Sequence, residues 1–181
     1  MLVGINPSSY AVEVGHYFAR PQNRFWPAFS RSRLSLRARR GLEVENLVCQ
    51  HDRHLPRFGI GMTDLVKIPS AQAAQLETSL FREWAPRTRQ RLEAVEPTVI
   101  AFQGMMALKP FLRYGLQSKE KPAFGPLETR MGQARLYALP NPSPANASFR
   151  LDDFVRGFDE LADFIARSAP ANAASVPDQP R

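Results

Sequence analysis

Apolar residues recur along this chain in two rhythms. The short continuous runs "MLVGI", "FGIGMTDLV" and "PTVIAFQG" read as buried strands. The third is the clearest, because strands covered on both faces of a parallel sheet lose the in–out alternation. Between these runs the spacing turns helical. Phe25, Trp26 and Phe29 in "NRFWPAFSRS" share one helical face, with Pro27 tolerable only in a first turn. Gly41 to Gln50 is expected to be helical. Thr78 to Val95 predicts a long amphipathic helix in which Pro86 marks a kink or a break. A further helix follows from Met105 to Tyr114, and Leu151, Phe154, Val155, Phe158, Leu161, Phe164 and Ile165 mark a last one. "LETRMGQARLYALP" reads as a hairpin or a pair of short strands around Gly132. Residues 7–22 lack a clean period and read as a structured loop, and "RSRLSLRARRG" reads as a basic linker. "SAPANAASVPDQPR" has the composition of a disordered tail.

Strands alternating with helices predict an α/β domain with a mostly parallel sheet. In such sheets ligands bind beyond the carboxyl ends of the strands, at the point where the strand order reverses. Two segments fall there, "GINPS" after the first strand and "LPNPSPANAS" after the last, and each runs strand, Asn, Pro, Ser. That repetition directs attention to the sheet's carboxyl edge.

Composition narrows the chemistry. At 181 residues and 44% hydrophobic content the chain has the size of one globular domain. No apolar run approaches the ~20 residues that span a bilayer. No secretory signal precedes Gly4, so the cytoplasm is the expected compartment. Cys49 is the only cysteine, which excludes an internal disulfide, a four-cysteine zinc site and a cysteine-ligated cluster. His51, Asp52 and His54 in "QHDRHLPRF" read as a solvated polar stretch in preference to a metal site. The net charge of +7, carried more by Arg than by Lys, points to a polyanionic partner, although an Arg-rich genome gives the same balance.

Asn6 has two readings. Asn-Pro is a common turn starter. Asn also holds a water through its side-chain carbonyl while its amide donates elsewhere, which suits water attack on a centre that becomes cationic. Tyr17 and Phe18 lie between Gly15 and Pro21 in the loop; one of them plugs the core, or a flat ring is offered for a base to stack on, worth ~1–3 kcal/mol. In the late loop Ser143, Ser148 and the N–H groups at the helix start are placed to hold a phosphate. Ser148 also fits an N-cap, the preferred assignment for it.

With these residues in view, the chain resembles the mismatch-specific uracil/thymine-DNA glycosylase family of the uracil-DNA glycosylase superfamily. The specific block is "GINPSSYAVEVGHYFARPQNRFWPAF", supported in order by "FGIGMTDLV", "VIAFQG" and "LPNPS". The resemblance implies a three-layer α/β/α fold around a central, mostly parallel four-stranded sheet. It implies one glycosylase domain over residues 1–168, followed by the tail at 169–181. The activity implied is hydrolytic, monofunctional excision of uracil or mismatched pyrimidines from double-stranded DNA by a monomer, with no cofactor, no metal and no membrane association. By the same resemblance Asn6 positions the hydrolytic water, and Ile5 and Phe18 line the base pocket, with His16 and Tyr17 beside them. Asn23 and Arg24 brace the pocket loop. Asn141 faces the substrate, and the loop through Ser143, Pro144, Ala145, Asn146 and Ser148 enters the duplex.

The chemistry is consistent with these residues. Uracil leaves as a stabilised anion, so the paired carboxylates of glycoside hydrolysis are not required. Backbone N–H groups near Ile5 and Phe18 are placed to hold that anion. Weak pairs such as G·U extrude a base most cheaply.

Several features depart from the family. Ser8 replaces a Gly and is expected to narrow the entrance. Ala145 stands at the wedge position and fills a vacated stack poorly. Asp64 lies after the "GIGMT" strand at the same sheet edge, where it is either a solvated or capping carboxylate or a group that activates the water or stabilises the cationic sugar. Asn141 stands where the most active branch has His, which implies slower chemistry. Only three residues precede Gly4, fewer than the family's lead-in, which bears on stability more than on chemistry. The basic run Arg31 to Arg40 is a DNA-backbone contact or a solvated face. The competing readings are a branch acting on single-stranded uracil or deaminated purines, and a catalytically weak DNA-binding module.

Overall fold

A computed structural model describes residues 1–168; the predicted tail at 169–181 lies outside the described residues. β1 (Leu2–Gly4) runs parallel to β2 (Met62–Asp64) on one side and to β3 (Val99–Gln103) on the other. β5 (Ala134–Leu139) pairs parallel with β3, and β4 (Gly125–Met131) adds an antiparallel edge against β5. The sheet therefore has five strands in the order β2-β1-β3-β5-β4. The strand beyond the four expected is the first arm of the hairpin at Gly132, whose φ of 58° suits glycine in a two-residue connection.

The continuous apolar runs are explained by burial on both faces. Val3, Ile100, Phe102, Leu136 and Ala138 face a layer built by α4 (Thr78–Val95) and α5 (Met105–Pro110). Leu2, Val99, Ala101, Tyr137 and Leu139 face α2 (Phe25–Arg31) and α6 (Leu151–Ser168). Phe25, Phe29 and Phe158 are fully buried in that second layer, each worth ~1.5–3 kcal/mol of transfer. The three-layer α/β/α architecture is thus present. α4 continues through Pro86 as one 18-residue helix, and Pro27 sits in the first turn of α2 as expected.

Four local expectations change. The structured loop at 7–22 contains α1 (Ser9–Val14), which ends at Gly15 in a left-handed conformation. The "basic linker" is a packed corner made of a 3-10 turn over Arg33–Ser35 and α3 (Leu36–Gly41). Ser32, Ser35 and Ala38 are buried there, and Arg33 pairs with Asp163 at 2.8 Å. Gly41 to Gln50 is not one helix. Glu43 turns left-handed at φ 53°, and Leu47 is drawn into the core while its N–H donates to Ser30 Oγ at 2.6 Å. "QHDRHLPRF" belongs to a 3-10 helix over Cys49–Phe58 and not to a loop; Gln50, Arg53, His54 and Arg57 are exposed, while Leu55 and the Asp52 side chain turn inward.

Because the chain leaves β1 for β2 and returns through α4 to β3 on the other side, the switch point lies beyond β1 and β3. Asn6, Asp64, Gly104 and Asn141 all fall at that edge.

Candidate active site

Local hydrogen bonding sets the orientation of Asn6. Val66 N–H donates to Ile5 O and Leu65 N–H to Gly4 O, so the chain after β2 runs alongside the chain after β1. Asn6 Nδ2 then donates to Ile68 O at 3.0 Å and to Ser70 Oγ at 2.8 Å. With its donors engaged, Asn6 presents its Oδ1 as an acceptor. Ile5 contributes main chain to this edge, while its side chain packs with Val3 and Leu65 in the α4 layer.

The Gly15–Phe18 turn is fastened from beneath. Asp52, with its side chain 6% exposed, meets His16 Nδ1 at 3.0 Å and accepts the Tyr17 N–H at 2.9 Å. Trp26 Nε1 donates to Tyr17 O at 2.9 Å. These anchors hold Phe18 at φ 53°, a left-handed conformation costing a non-glycine residue roughly 1–2 kcal/mol. The Phe18 ring stacks on Phe25 with centroids 4.1 Å apart and planes 10° off parallel. Core packing thereby gives the half-buried ring a fixed plane.

Asp64 closes the corner. A side chain at Gly4 would overlap Asp64 Oδ1 and lie 3.8 Å from Phe18 Cζ, so glycine is what lets the carboxylate and the ring approach. Asp64 is 5% exposed, and burial pushes its carboxyl up to about 6, against the opposing charges of Lys67 and Arg91. Lys67 Nζ reaches the Tyr17 hydroxyl at 3.3 Å, and Arg91 Nη2 donates to Thr88 Oγ1 at 2.6 Å. Burial, with Asp64 and Asp52 nearby, raises Tyr17 to about 12, which keeps its hydroxyl protonated.

The second loop is organised by Arg24. Nη1 donates to Phe149 O at 2.6 Å, and Nη2 to Ser143 O at 2.5 Å and Asn146 O at 2.7 Å. Arg24 also lies over the Phe154 ring, 4.6 Å from its centroid. Asn23 Oδ1 accepts the Phe25 N–H at 2.9 Å, which starts α2. Arg24 therefore ties the two Asn-Pro-Ser loops together instead of bracing the first alone. Asn141 Oδ1 accepts the Ser143 N–H at 3.0 Å, and Asn146 Nδ2 returns to Asn141 O at 2.9 Å. This bonding leaves Pro144, Ala145 and Ser148 exposed at the tip. Ser148 is not the N-cap of α6: the carboxylate of Asp153 accepts the Arg150 N–H at 2.8 Å and does that work. Ser8 does cap a helix, accepting the Ala11 N–H of α1 at 3.1 Å.

Replacing Arg24 with Lys keeps the charge and loses the fork. The expected result is about 2 kcal/mol less stability and faster amide exchange across 141–149, read by hydrogen-exchange mass spectrometry. Unchanged exchange there would show that the loop holds itself.

Ser70, Asp52 and the Trp26 indole were not identified by sequence reasoning. Asp52 carried a signal in hindsight, as the one carboxylate in a basic stretch one helical turn from Leu55, a core residue. Ser70 carried none, because it reaches Asn6 only through the crossover after β2. Among the described residues, no three His, Cys, Asp or Glu side chains converge as metal ligands.

The site occupies the region covered by a family match. A family model for the uracil DNA glycosylase superfamily matches residues 1–162, from β1 into α6.

Proposed function

Because the chain belongs to the uracil DNA glycosylase superfamily, whose members are DNA-repair hydrolases acting on uracil in DNA, we propose that it is a mismatch-specific, monofunctional glycosylase. In this reading it works as a cytoplasmic monomer on duplex DNA, extrudes uracil or a related pyrimidine preferentially from G·U-type pairs, and leaves an abasic site. The observation that carries the reading is the orientation of Asn6, locked by Ile68 O and Ser70 Oγ two residues beyond Gly4, where the Asp64 carboxylate and the Phe18 ring approach each other.

The extruded base stacks on Phe18, and Asn6 Oδ1 accepts a hydrogen bond from the attacking water. The water oxygen bonds to C1′ as the N-glycosidic electron pair leaves with the base nitrogen. Asp64, ionised above about pH 6, takes the water's proton and opposes the positive charge that builds on the sugar. Main-chain N–H groups at Ile5 and Phe18 face the departing anion. The exposed tip through Pro144 and Ala145 enters the space the base vacates, with the methyl group of Ala145 filling it only in part. A weak wedge favours pairs that open readily, which is why G·U is the preferred substrate in this reading.

The test is single-turnover excision on labelled duplexes holding one G·U or one A·U pair, with chelator present and strand breaks revealed by alkali. The expected outcome is cleavage at uracil in both, faster for G·U. Retained DNA binding without cleavage on duplex or single-stranded uracil would leave a silent binder. Raised salt is expected to weaken binding steeply if Arg31, Arg37 and Arg40 meet phosphates.

A further inference from the structure

One buried polar group at this edge takes no part in the hydrolysis described. Gln103 is the last residue of β3 and lies in register with Leu139 of β5. The β1–β3 register, Leu2 with Ala101 and Val3 with Phe102, continues to set Gly4 opposite Gln103. Gly4 is paired in turn with Asp64 of β2. Side chains alternate along each strand, so Gln103 shares the face of Val99 and Ala101, the face against which Phe25 and Phe18 pack. The last row of that face therefore reads Asp64, Gly4, Gln103, Leu139.

A carboxyl and an amide flank a glycine whose missing side chain lets Asp64 Oδ1 and the Phe18 ring close over it. With strands ~4.8 Å apart, the main chains of Asp64 and Gln103 stand roughly 10 Å from each other, on either side of Gly4. Gln103 is 2% exposed, and its Nε2 is buried without a hydrogen-bond partner among the described residues. Buried amides are ordinarily satisfied, and one that is not calls for a partner such as a bound molecule or a functional role. On its far side Gly104, at φ 105°, presses against Asn141 Cβ, so the amide lies between the two site loops.

We propose that Gln103 reads the extruded base: set beside Gly4 and across from Asp64, its Nε2–H donates to a ring carbonyl oxygen. This rests on the glycosylase reading and adds a substrate class to it. The pocket selects lactam bases such as uracil, and rejects a base that turns an amino group to that position, where one N–H would face another.

The test pairs two variants with two substrates. Gln103→Leu is expected to lower kcat/KM on uracil by about tenfold or more, because the base carbonyl loses its donor. It is expected to raise Tm, because an unsatisfied amide is replaced by an apolar side chain of similar size. Gln103→Glu sets a carboxylate against the carbonyl and is expected to be slower than the Leu variant. On 2-thiouracil and 4-thiouracil, the penalty of the Leu variant is expected to shrink for the one whose sulfur replaces the oxygen being read. Parent-like kcat/KM in the Leu variant, or an equal penalty on both thio-bases, would overturn the proposal. A fall in Tm together with activity would overturn it too, by making Gln103 a packing residue. A parent protein that excises no uracil at all would bring down the glycosylase reading itself, and the proposal with it.

Discussion

Replacing Asn6 with Ala is expected to slow uracil excision by about 10²–10³-fold under single-turnover conditions, with DNA affinity changed only a few fold. The size follows from the role proposed for this side chain at the reacting centre. Its Nδ2 is committed to Ile68 O and Ser70 Oγ, so the acceptor Oδ1 is pre-oriented and needs no reorganisation as the water attacks. Alanine removes that acceptor and frees the 68–70 segment, at a cost of about 1 kcal/mol for the lost hydrogen bonds. Melting temperature and excision rate together separate the two effects: a large kinetic loss on a nearly parent-like fold is the expected pattern. Ser70→Ala is the companion variant. It leaves Asn6 in place but looser, so a milder loss is expected, and an unchanged rate in Asn6→Ala would mean that the water is held by another group.

The second large effect is at Asp64. Asp64→Asn is expected to reduce excision by about 10²–10⁴-fold at neutral pH, the range associated with a positioned general base. The parent rate should rise with pH through about 6, where burial has placed this carboxyl, and level off above it. The Asn variant should lack that inflection. Stability is expected to move the other way. The folded carboxyl holds its proton up to about 6, whereas the unfolded one releases it near 3.8, so the folded state binds more protons between those values. Stability contributed by this group is therefore complete below pH 3.8 and is lost as pH rises towards 6. A shift of that size corresponds to about 3 kcal/mol. Asp64→Asn, which cannot ionise, should accordingly gain stability over the parent at pH 8 and not at pH 3.5, as measured by urea unfolding. An Asn variant slower than the parent and yet more stable would mark Asp64 as a group kept for chemistry at the expense of folding.

Much of the architecture was legible in the chain because its signals are local. "PTVIAFQG" is apolar without alternation because both of its faces are covered, and α6 shows its apolar stripe at helical spacing. The two Asn-Pro-Ser segments follow strands, and parallel strands in one sheet bring their carboxyl ends to one edge whatever lies between them. Asn6, Asp64 and Asn141 could therefore be assigned to a common edge before any contact was known. Pro27 and Gly132 were read correctly for the same reason, since φ restrictions act within one residue.

The misreadings share a different cause. The basic run before Gly41 looked like a linker because its charges are visible in sequence, while its partners, Asp159 and Asp163, lie more than a hundred residues away on α6. "QHDRHLPRF" is largely solvated, but its Asp52 is not, and polarity in isolation does not separate Asp52 from its neighbours. Asp52 is buried only because the Gly15–Phe18 turn lies over it and supplies an imidazole and an N–H.

What the sequence determined by itself was most of the strands, the long helices, the switch-point location and a set of candidate polar residues at that edge. Each of these follows from periodicity, turn chemistry or side-chain type, which act over a few residues. Tertiary structure alone decided which way each group points. Asn6 Nδ2 is tied to Ile68 O and Ser70 Oγ, Phe18 lies flat on Phe25, Arg24 joins the two loops, and burial raises the proton affinity of Asp64. Orientation and desolvation depend on atoms brought together from distant parts of the chain, and no local pattern encodes the distance between them.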